Sequence, residues 1–384
     1  MTKIQAFLRT EGTIEDLLAR YGIVSKRHRE HPNLVLFKYN QITSPFAEPI
    51  VRECRGIILD EADNWRVVSR SFDKFFNHGE GHAAPIDWRT ARVQTKEDGS
   101  LIVVYHYAGK WHAQTSGTPD AGGTIWGTVG GEWEPSPGVR LPMPQSFADY
   151  FWQVAGVAPE WFAKNADVDT CFIFELVGPL NRVVVQNPTA KVVVLGARNR
   201  VTGQELHARQ AATALGNRFQ AVEQCNLWSI EGVLASFTTF SPLAQEGYVV
   251  VDEHFNRIKV KHPGYVALHH AKDGLGIRAF VDIARSNETP EVVAAFPALK
   301  PQIDEVRGRY DVLVETLERD YEAIRGIESQ KDFALRATKT RCAPALFMVR
   351  AGKVNSVRDY LANVHVDQLM RLLDYKTTDA PVVL

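Results

Sequence analysis

The sequence is short of the features that mark several common protein classes. Its 384 residues include four cysteines, at Cys54, Cys171, Cys225 and Cys342. They are too far apart for a CxxC pair, which argues against a zinc site and against a disulfide framework. Reduced thiols in the core or in loops are the expectation. No apolar run approaches the roughly 18 residues of a membrane span. The opening residues Met1-Thr2-Lys3-Ile4 lead into no apolar stretch with a small-residue cleavage site, so a cytoplasmic protein with no membrane partner is expected. An excess of one charge is missing too: 44 Lys and Arg against 45 Asp and Glu give a formal net charge of −1. Bulk electrostatics therefore do not hold this chain on nucleic acid, and any such site is a local cluster of Lys and Arg offset by acids elsewhere. A GxxxxGK[ST] loop is absent, and Gly79-Glu80-Gly81 lacks the rest of a dinucleotide fingerprint. No internal repeat or low-complexity segment stands out.

What is present is the composition of an ordinary globular protein, 45% hydrophobic and 23% charged, in a chain long enough for two units. Thr13 and Asp16 form a capping box for a helix over Thr13–Tyr21, with Gly22 as its stop. From Leu34 to about Lys261 the texture is that of strands: Leu34–Tyr39, Gly56–Leu59, Leu101–Tyr107, Lys110–Thr115, Phe172–Val177, Val192–Leu195, Tyr248–Asp252 and Arg257–Lys261. Helices are expected over Ser146–Ala155 and Gln204–Leu215. This is an antiparallel α+β pattern, not the regular alternation of a doubly wound sheet. Beyond Gly264 the texture changes: Ile303, Val306, Tyr310, Leu313, Leu317, Tyr321 and Ile324 recur every three or four residues, as one long amphipathic helix requires. Shorter helical stretches follow at Asp332–Ala337, Ala345–Val349 and Val357–Leu373. The expected boundary falls near Gly264 to Asp273, giving units of residues 1–265 and 266–384, the second all-α.

Chemistry concentrates in KEDGS, Lys96 to Ser100, ahead of the apolar strand Leu101–Tyr105. A lysine attacks phosphorus only as the free amine, yet its reference pKa is about 10.4. Neighbouring cations, partial burial and a metal on the phosphates would have to favour the neutral form. Gly99 would let the backbone approach a nucleotide, and Asp98 would fix the turn. Alone, KxDG more often describes an exposed hairpin turn. It has company in fixed order, however: ECRGIIL at Glu53–Leu59, SRSFDKFFN at Ser69–Asn77, FELVGPLNRVV at Phe174–Val184, EGYVVV at Glu246–Val251, and KVK at Lys259–Lys261. Lys259 and Lys261, two apart on a strand, point to one face and could hold two cations against a phosphate, although Lys/Val alternation also describes a solvated edge. Glu246 shares a strand face with Tyr248. Glu175, between Phe174 and Leu176, needs a metal-bound water, a ribose hydroxyl or a lysine if it is buried, a plain buried salt bridge being the alternative.

This ordered set resembles the covalent nucleotidyltransferase superfamily of ligases and capping enzymes, and most of all the bacteriophage RNA ligase 1 family, ATP-dependent and of the tRNA-repair type. The resemblance covers roughly Leu34 to His270. It implies an antiparallel-sheet adenylation domain followed by an all-α C-terminal domain that serves substrate choice. Lys96 would be the nucleophile on the α-phosphorus of ATP, with Lys259 and Lys261 stabilising the developing charge and Glu175 and Glu246 completing the catalytic set. The nucleotide would also meet Tyr39, Arg55, Lys74, Phe76, Gly99, Gly247 and Tyr265, with core packing as the other reading of Tyr39 and Phe76. Magnesium, or manganese in its place, is implied, held by Glu246 and Glu175 through water. A second metal at Asn287 and Glu288 competes with a simple helix N-cap there.

The implied reaction has three steps: adenylation of the enzyme, transfer of AMP to an RNA 5′-phosphate, and attack by a 3′-hydroxyl with loss of AMP. Implied partners are single-stranded RNA ends, a nicked tRNA among them, and an end-healing polynucleotide kinase. The implied location is the cytoplasm, that of the host cell if the chain is phage-encoded. One departure stands out. The family carries a basic residue just before the glycine of a short motif after the first hairpin, where this chain has Ser116 in TSGT. Either Lys110 or another cation substitutes, or one phosphate contact is missing. A DNA ligase or capping guanylyltransferase, which should carry an oligonucleotide-binding barrel after the last motif, and an RNA-binding protein without catalysis remain as alternatives.

Overall fold

Alternating apolar and polar residues build four sheets in the computed structural model, which describes every residue except 124, 126–131, 182, 186, 271–275, 287, 288 and 376–384 and, at 267, 268, 270, 291, 294 and 295, the backbone only. The first sheet runs in order through β1 (Ile23–Arg27), β2 (Leu34–Tyr39), β3 (Arg55–Asp60) and β4 (Arg66–Ser69). The second joins β15 (Gln224–Cys225), β6 (Arg92–Lys96), β16 (Gly247–Val251), β17 (Arg257–Lys261) and β5 (Phe76–Asn77) in that order. The third joins β13 (Glu205–His207), β12 (Lys191–Asn199), β11 (Thr170–Val177), β7 (Ser100–Tyr107) and β8 (Lys110–Thr115), with β14 (Gln220–Ala221) beside β12. A hairpin of β9 (Glu132–Ser136) and β10 (Val139–Pro142) stands apart. Pairing is antiparallel except for β12 with β14 and β17 with β5.

Both faces of the third sheet are covered. Val103, Tyr105, Cys171 and Ile173 meet Leu34, Leu36, Ile58 and Val68 of the first sheet. Ile102, Val104, Phe172 and Phe174 point the other way, against Phe151, Phe162 and Ala211 of the helices Phe147–Ala155, Pro159–Asn165 and Ala208–Ala214. The opposite face of the first sheet takes Ile4, Phe7 and Leu17 of the helices Lys3–Thr10 and Ile14–Tyr21. Thr13 and Asp16 make both bonds of the capping box, and Gly22 closes the helix at φ 62°. Thr2 and Gln5 form a second box for Lys3–Thr10, a helix the sequence reading omitted.

The expected helix over Gln204–Leu215 is shorter, Ala208–Ala214, because Glu205–His207 pair with β12 as a strand. Every described element from Pro263 onward is helical. The helix Lys300–Ile324 buries Ile303, Val306, Tyr310, Leu313, Leu317 and Ile324, while Tyr321 is half-buried. The stretch Val357–Leu373 is two helices, Val357–Asn363 and Val366–Leu372, because Val364 is extended and His365 caps the second. The chain divides into two compact units: Met1–Asn40, Ser44–His78 and His82–Tyr265 form one, and Val266–Leu384 with Gln41–Thr43 and Gly79–Gly81 the other. All four cysteines are free thiols. No described helix is long and apolar enough to cross a membrane.

Candidate active site

The two-residue period of the strands splits the second sheet into a packing face and a chemical face. Val93, Tyr248, Val250, Ile258 and Val260 pack with Val233 and Phe237. The alternate residues Gln94, Lys96, Val249, Arg257, Lys259 and Lys261 line a pocket of about 190 Å³, whose other wall carries Leu101, Glu175 and Leu195 of the third sheet together with Arg55, Phe72 and Phe75.

At the centre is a carboxylate between two ammonium groups. Lys96 Nζ donates to Glu246 Oε2 at 2.5 Å, and Lys261 Nζ lies 3.3 Å from Glu246 Oε1. The register explains the meeting: Gly247 stands opposite Lys96 on one side and Lys261 on the other, so the preceding Glu246 reaches both. Glu246 is only 3% exposed, and two cations supply what a buried carboxylate needs. It lies just before β16 instead of sharing a strand face with Tyr248, which packs in the core.

Glu175 has the opposite balance. Burial pushes its carboxyl up to about 8; Lys96 and Arg55 pull it down, while Glu246 adds to the rise. Further positive charge arriving in the pocket would favour its ionised form. Among the described residues no group of three or more His, Cys, Asp or Glu could hold a metal ion. Glu175, on the pocket wall, and Glu246, behind Lys96 and Lys261, fit a magnesium or manganese ion that keeps most of its waters and leans on nucleotide phosphates, the usual habit of magnesium.

Other expected residues divide. Arg55 and Lys259 reach the pocket and share Phe75, the guanidinium carbon 5.1 Å and the ammonium 5.9 Å from its ring centre. Lys74 goes elsewhere: its ammonium sits 5.1, 4.8 and 5.5 Å from the ring centres of Tyr39, Phe46 and Phe76, a cation–π cage. Lys74 and Phe76 line a second cavity with Asp73 and His82. Tyr265 is 2% exposed, and its hydroxyl donates to Asp98 at 2.9 Å. Asp98 also accepts from the backbone of Val184 and Val185 at 2.9 and 2.7 Å. Its carboxylate thus anchors a distant loop, a task beyond the local turn expected of it. Gly99 is required by a close approach within the fold, since a Cβ there would stand 2.2 Å from the Leu176 carbonyl oxygen. Gly247, at φ 146°, would put a Cβ 2.3 Å from the Val260 carbonyl oxygen. Asn287 and Glu288 lie outside the described residues.

One pocket feature escaped the sequence reading. Arg257 is buried, 2.6 Å from Glu205 and 4.1 Å above the Phe72 ring. The alternation of Arg257-Ile258-Lys259-Val260-Lys261 was a usable signal, because it places all three cations on one face. The hairpin also decides between the alternatives left open at Ser116. Lys110 pairs with Tyr107 at the far end of the hairpin, while Thr115 pairs with Ile102. Five residues of strand, about 17 Å, separate Lys110 from the Ser116 loop, so it cannot substitute there.

The chain is similar to known proteins over most of its length. The family described as RNA ligase matches residues 53–265, a little over half of the chain. An RNA ligase of Rhodothermus phage RM378 is 25% identical over 374 residues, covering 84% of this chain and 82% of the phage protein. A putative bifunctional polynucleotide kinase/RNA ligase of Autographa californica nuclear polyhedrosis virus is 26% identical over 310 residues, covering 77% of this chain and 42% of the viral one. Among solved structures, an archaeal ATP-dependent RNA ligase aligns with a TM-score of 0.48 and 15% identity over 88% of this chain and 76% of its own.

Proposed function

The chain belongs to the RNA ligase family, and from that premise we propose that it seals RNA through a covalent adenylate on Lys96. The observation that carries this reading is the Lys96–Glu246–Lys261 cluster opening into a cation-lined pocket. In the ligand-free enzyme Lys96 is an ammonium ion-paired with Glu246. When ATP enters, the Lys96 proton passes to Glu246, and the freed amine forms an N–P bond with the α-phosphorus. The bond to the bridging oxygen breaks, and pyrophosphate leaves with its electron pair. Lys259 and Lys261, on one strand face, stabilise charge gathering on the α-phosphate.

The same centre then passes AMP to an RNA 5′-phosphate, freeing Lys96. A 3′-hydroxyl finally attacks that phosphate and expels AMP. All three are displacements at phosphorus that positioning and charge can serve. Glu175 and Glu246 would hold magnesium or manganese, which would neutralise phosphate charge when bound. The kinase portion named for the viral relative supports a repair setting in which a kinase prepares the ends. The all-helical C-terminal domain, residues 266–384, selects the RNA, single-stranded ends of a nicked tRNA among the candidates.

Incubation with α-labelled ATP and magnesium, followed by denaturing electrophoresis, tests this. Label is expected on the protein from ATP and not GTP, removed by added pyrophosphate, and absent from Lys96→Ala. Label from GTP, or undiminished label in Lys96→Ala, would sink the proposal.

A further inference from the structure

The loop after β8 carries no charge at Ser116, yet a cation stands beside it. A Cβ on Gly117 would lie 3.5 Å from the ammonium of Lys38, a half-buried residue of β2. The fold places that ammonium deliberately. A register break at Gly56 sets Lys38 directly across from Arg55, and residues opposite one another on antiparallel strands project to the same side. Gly56 itself sits at φ 84°, where a Cβ would stand 3.0 Å from the Ser116 backbone. Gln114 clamps the approach by donating from Nε2 to the Gly56 carbonyl at 2.6 Å. Thr115 Oγ1 takes the amide protons of Gly117 and Thr118 at 3.2 and 3.0 Å, so those loop amides are already committed.

Lys38 and Arg55 are therefore two neighbouring cations, and among the described residues neither has an ion pair. Arg55 Nη1 is buried with no hydrogen-bond partner, an expensive state unless a ligand completes it. Arg55 lines the pocket that holds Lys96. Two unpaired, partly desolvated cations side by side repel one another, and an anion between them removes that repulsion. An oxyanion with several acceptors, such as a phosphate, satisfies both donors at once.

We infer that Lys38 is a phosphate-binding residue of the adenylation step, closing with Arg55 on the triphosphate tail of ATP in place of a charge on the Ser116 loop. This rests on the ligase reading above. ATP entering with its α-phosphorus at Lys96 runs its tail along the pocket wall, and Arg55 with Lys38 beside it offers that tail positive charge with no competing carboxylate in an ion pair.

The test is ATP titration of adenylate formation by the full chain, alongside sealing of pre-adenylated RNA, which needs no triphosphate. Lys38→Ala should raise the KM for ATP by about tenfold or more, the scale of one lost hydrogen bond to a charged group. It should seal pre-adenylated RNA at close to the wild-type rate, which also establishes that it is folded. Lys38→Arg should behave nearly as wild type. Lys38→Ala combined with Ser116→Lys should recover much of the lost ATP affinity, because it returns the charge to the same space from the other strand. Lys110→Ala, at the distant hairpin end, should change nothing. An unchanged KM in Lys38→Ala, or equal loss of both reactions without rescue by Ser116→Lys, overturns the inference while the ligase reading stands. If wild-type protein takes no label from ATP, the ligase reading fails first.

Discussion

The two units of the chain treat buried charge in opposite ways. The interior of the helical unit, from Val266 through Phe280, Val306, Leu317 and Leu361 to Leu373, is built from apolar and aromatic side chains. Its ion pairs are exposed or half-exposed and sit largely one turn apart, as in Lys300–Asp304, Glu305–Arg309 and Arg307–Asp311. The sheet unit buries Asp60, Asp98, Arg198, Glu246, Asp252 and Arg257, and every buried polar or charged residue of the described chain lies within it. Burying charge costs several kcal/mol unless partners are built around it. A fold keeps such groups where chemistry or architecture requires them: Glu246 and Arg257 serve the Lys96 pocket, while Asp60 is held by Asn33 and Tyr107 and Asp252 by the amides of His254 and Asn256. The contrast separates polar machinery from a body held by apolar faces alone.

The largest effect expected from breaking this contrast is at Glu246. Glu246→Gln keeps the shape but removes the charge that pairs Lys96 with Lys261 and accepts the Lys96 proton. Loss of a positioned proton acceptor costs about 10²–10⁴-fold, and the rate of label transfer from ATP to protein should fall within that range. A loss below tenfold would make Glu246 a packing residue and remove the proton-transfer step.

A second expectation uses the histidines of the sheet unit. His112 stacks on Tyr105 and contacts His28 and His31. Burial, with like charge from His28 and His31, pushes it down to about 4. His28 is lowered as well, mainly by burial and against the pull of Asp120. A folded-state pKa below the unfolded value of about 6.5 means that the unfolded chain takes up protons first as pH falls. The neutral ring's contribution is complete above pH 6.5 and drains away between 6.5 and 4. Thermal unfolding across that window should therefore show His112→Phe losing less stability than wild type, while the exposed His365→Ala follows wild type. Parallel curves for all three would mean that His112 titrates as it does in water.

Legibility in the sequence follows the same divide. The long helix was readable because Ile303 to Ile324 repeat at helical spacing and nothing in an apolar core contradicts periodicity. The strand Arg257–Lys261 was readable residue for residue from its alternation. Lys96, Glu246, Lys259 and Lys261 were readable as a set through their order along the chain, and the register of Gly247 supplies the physical reason Lys96, Glu246 and Lys261 meet. What stayed hidden depends on partners far away in sequence. Asp98 binds residues 86 and 87 positions on and Tyr265 at 167, and no local pattern records that. Lys74, expected at the nucleotide, sits among the rings of Tyr39, Phe46 and Phe76, which no local pattern announces. Glu205–His207 carry helical propensity but pair as a strand with β12, tertiary pairing overriding local preference. Lys38 was invisible as a site residue because it neighbours Gly117 only across the fold.

The smallest effect expected belongs to the helical unit, and it sharpens the contrast from the other side. Glu305 lies four residues before Arg309 and accepts its Nη2 at 2.7 Å, with both side chains about half exposed. Such a pair attracts through water-like dielectric, is screened by salt and must freeze two flexible side chains, so one-turn pairs contribute only about 0.3–0.5 kcal/mol. Glu305→Ala also places the best helix former at that position, which offsets part of the loss. The melting temperature should move by no more than about 1 °C, and by less in high salt, while adenylate formation keeps its wild-type rate. A shift of several degrees, or one that salt does not reduce, would mean that the helical unit relies on charge as the sheet unit does, and the division between the two would fail.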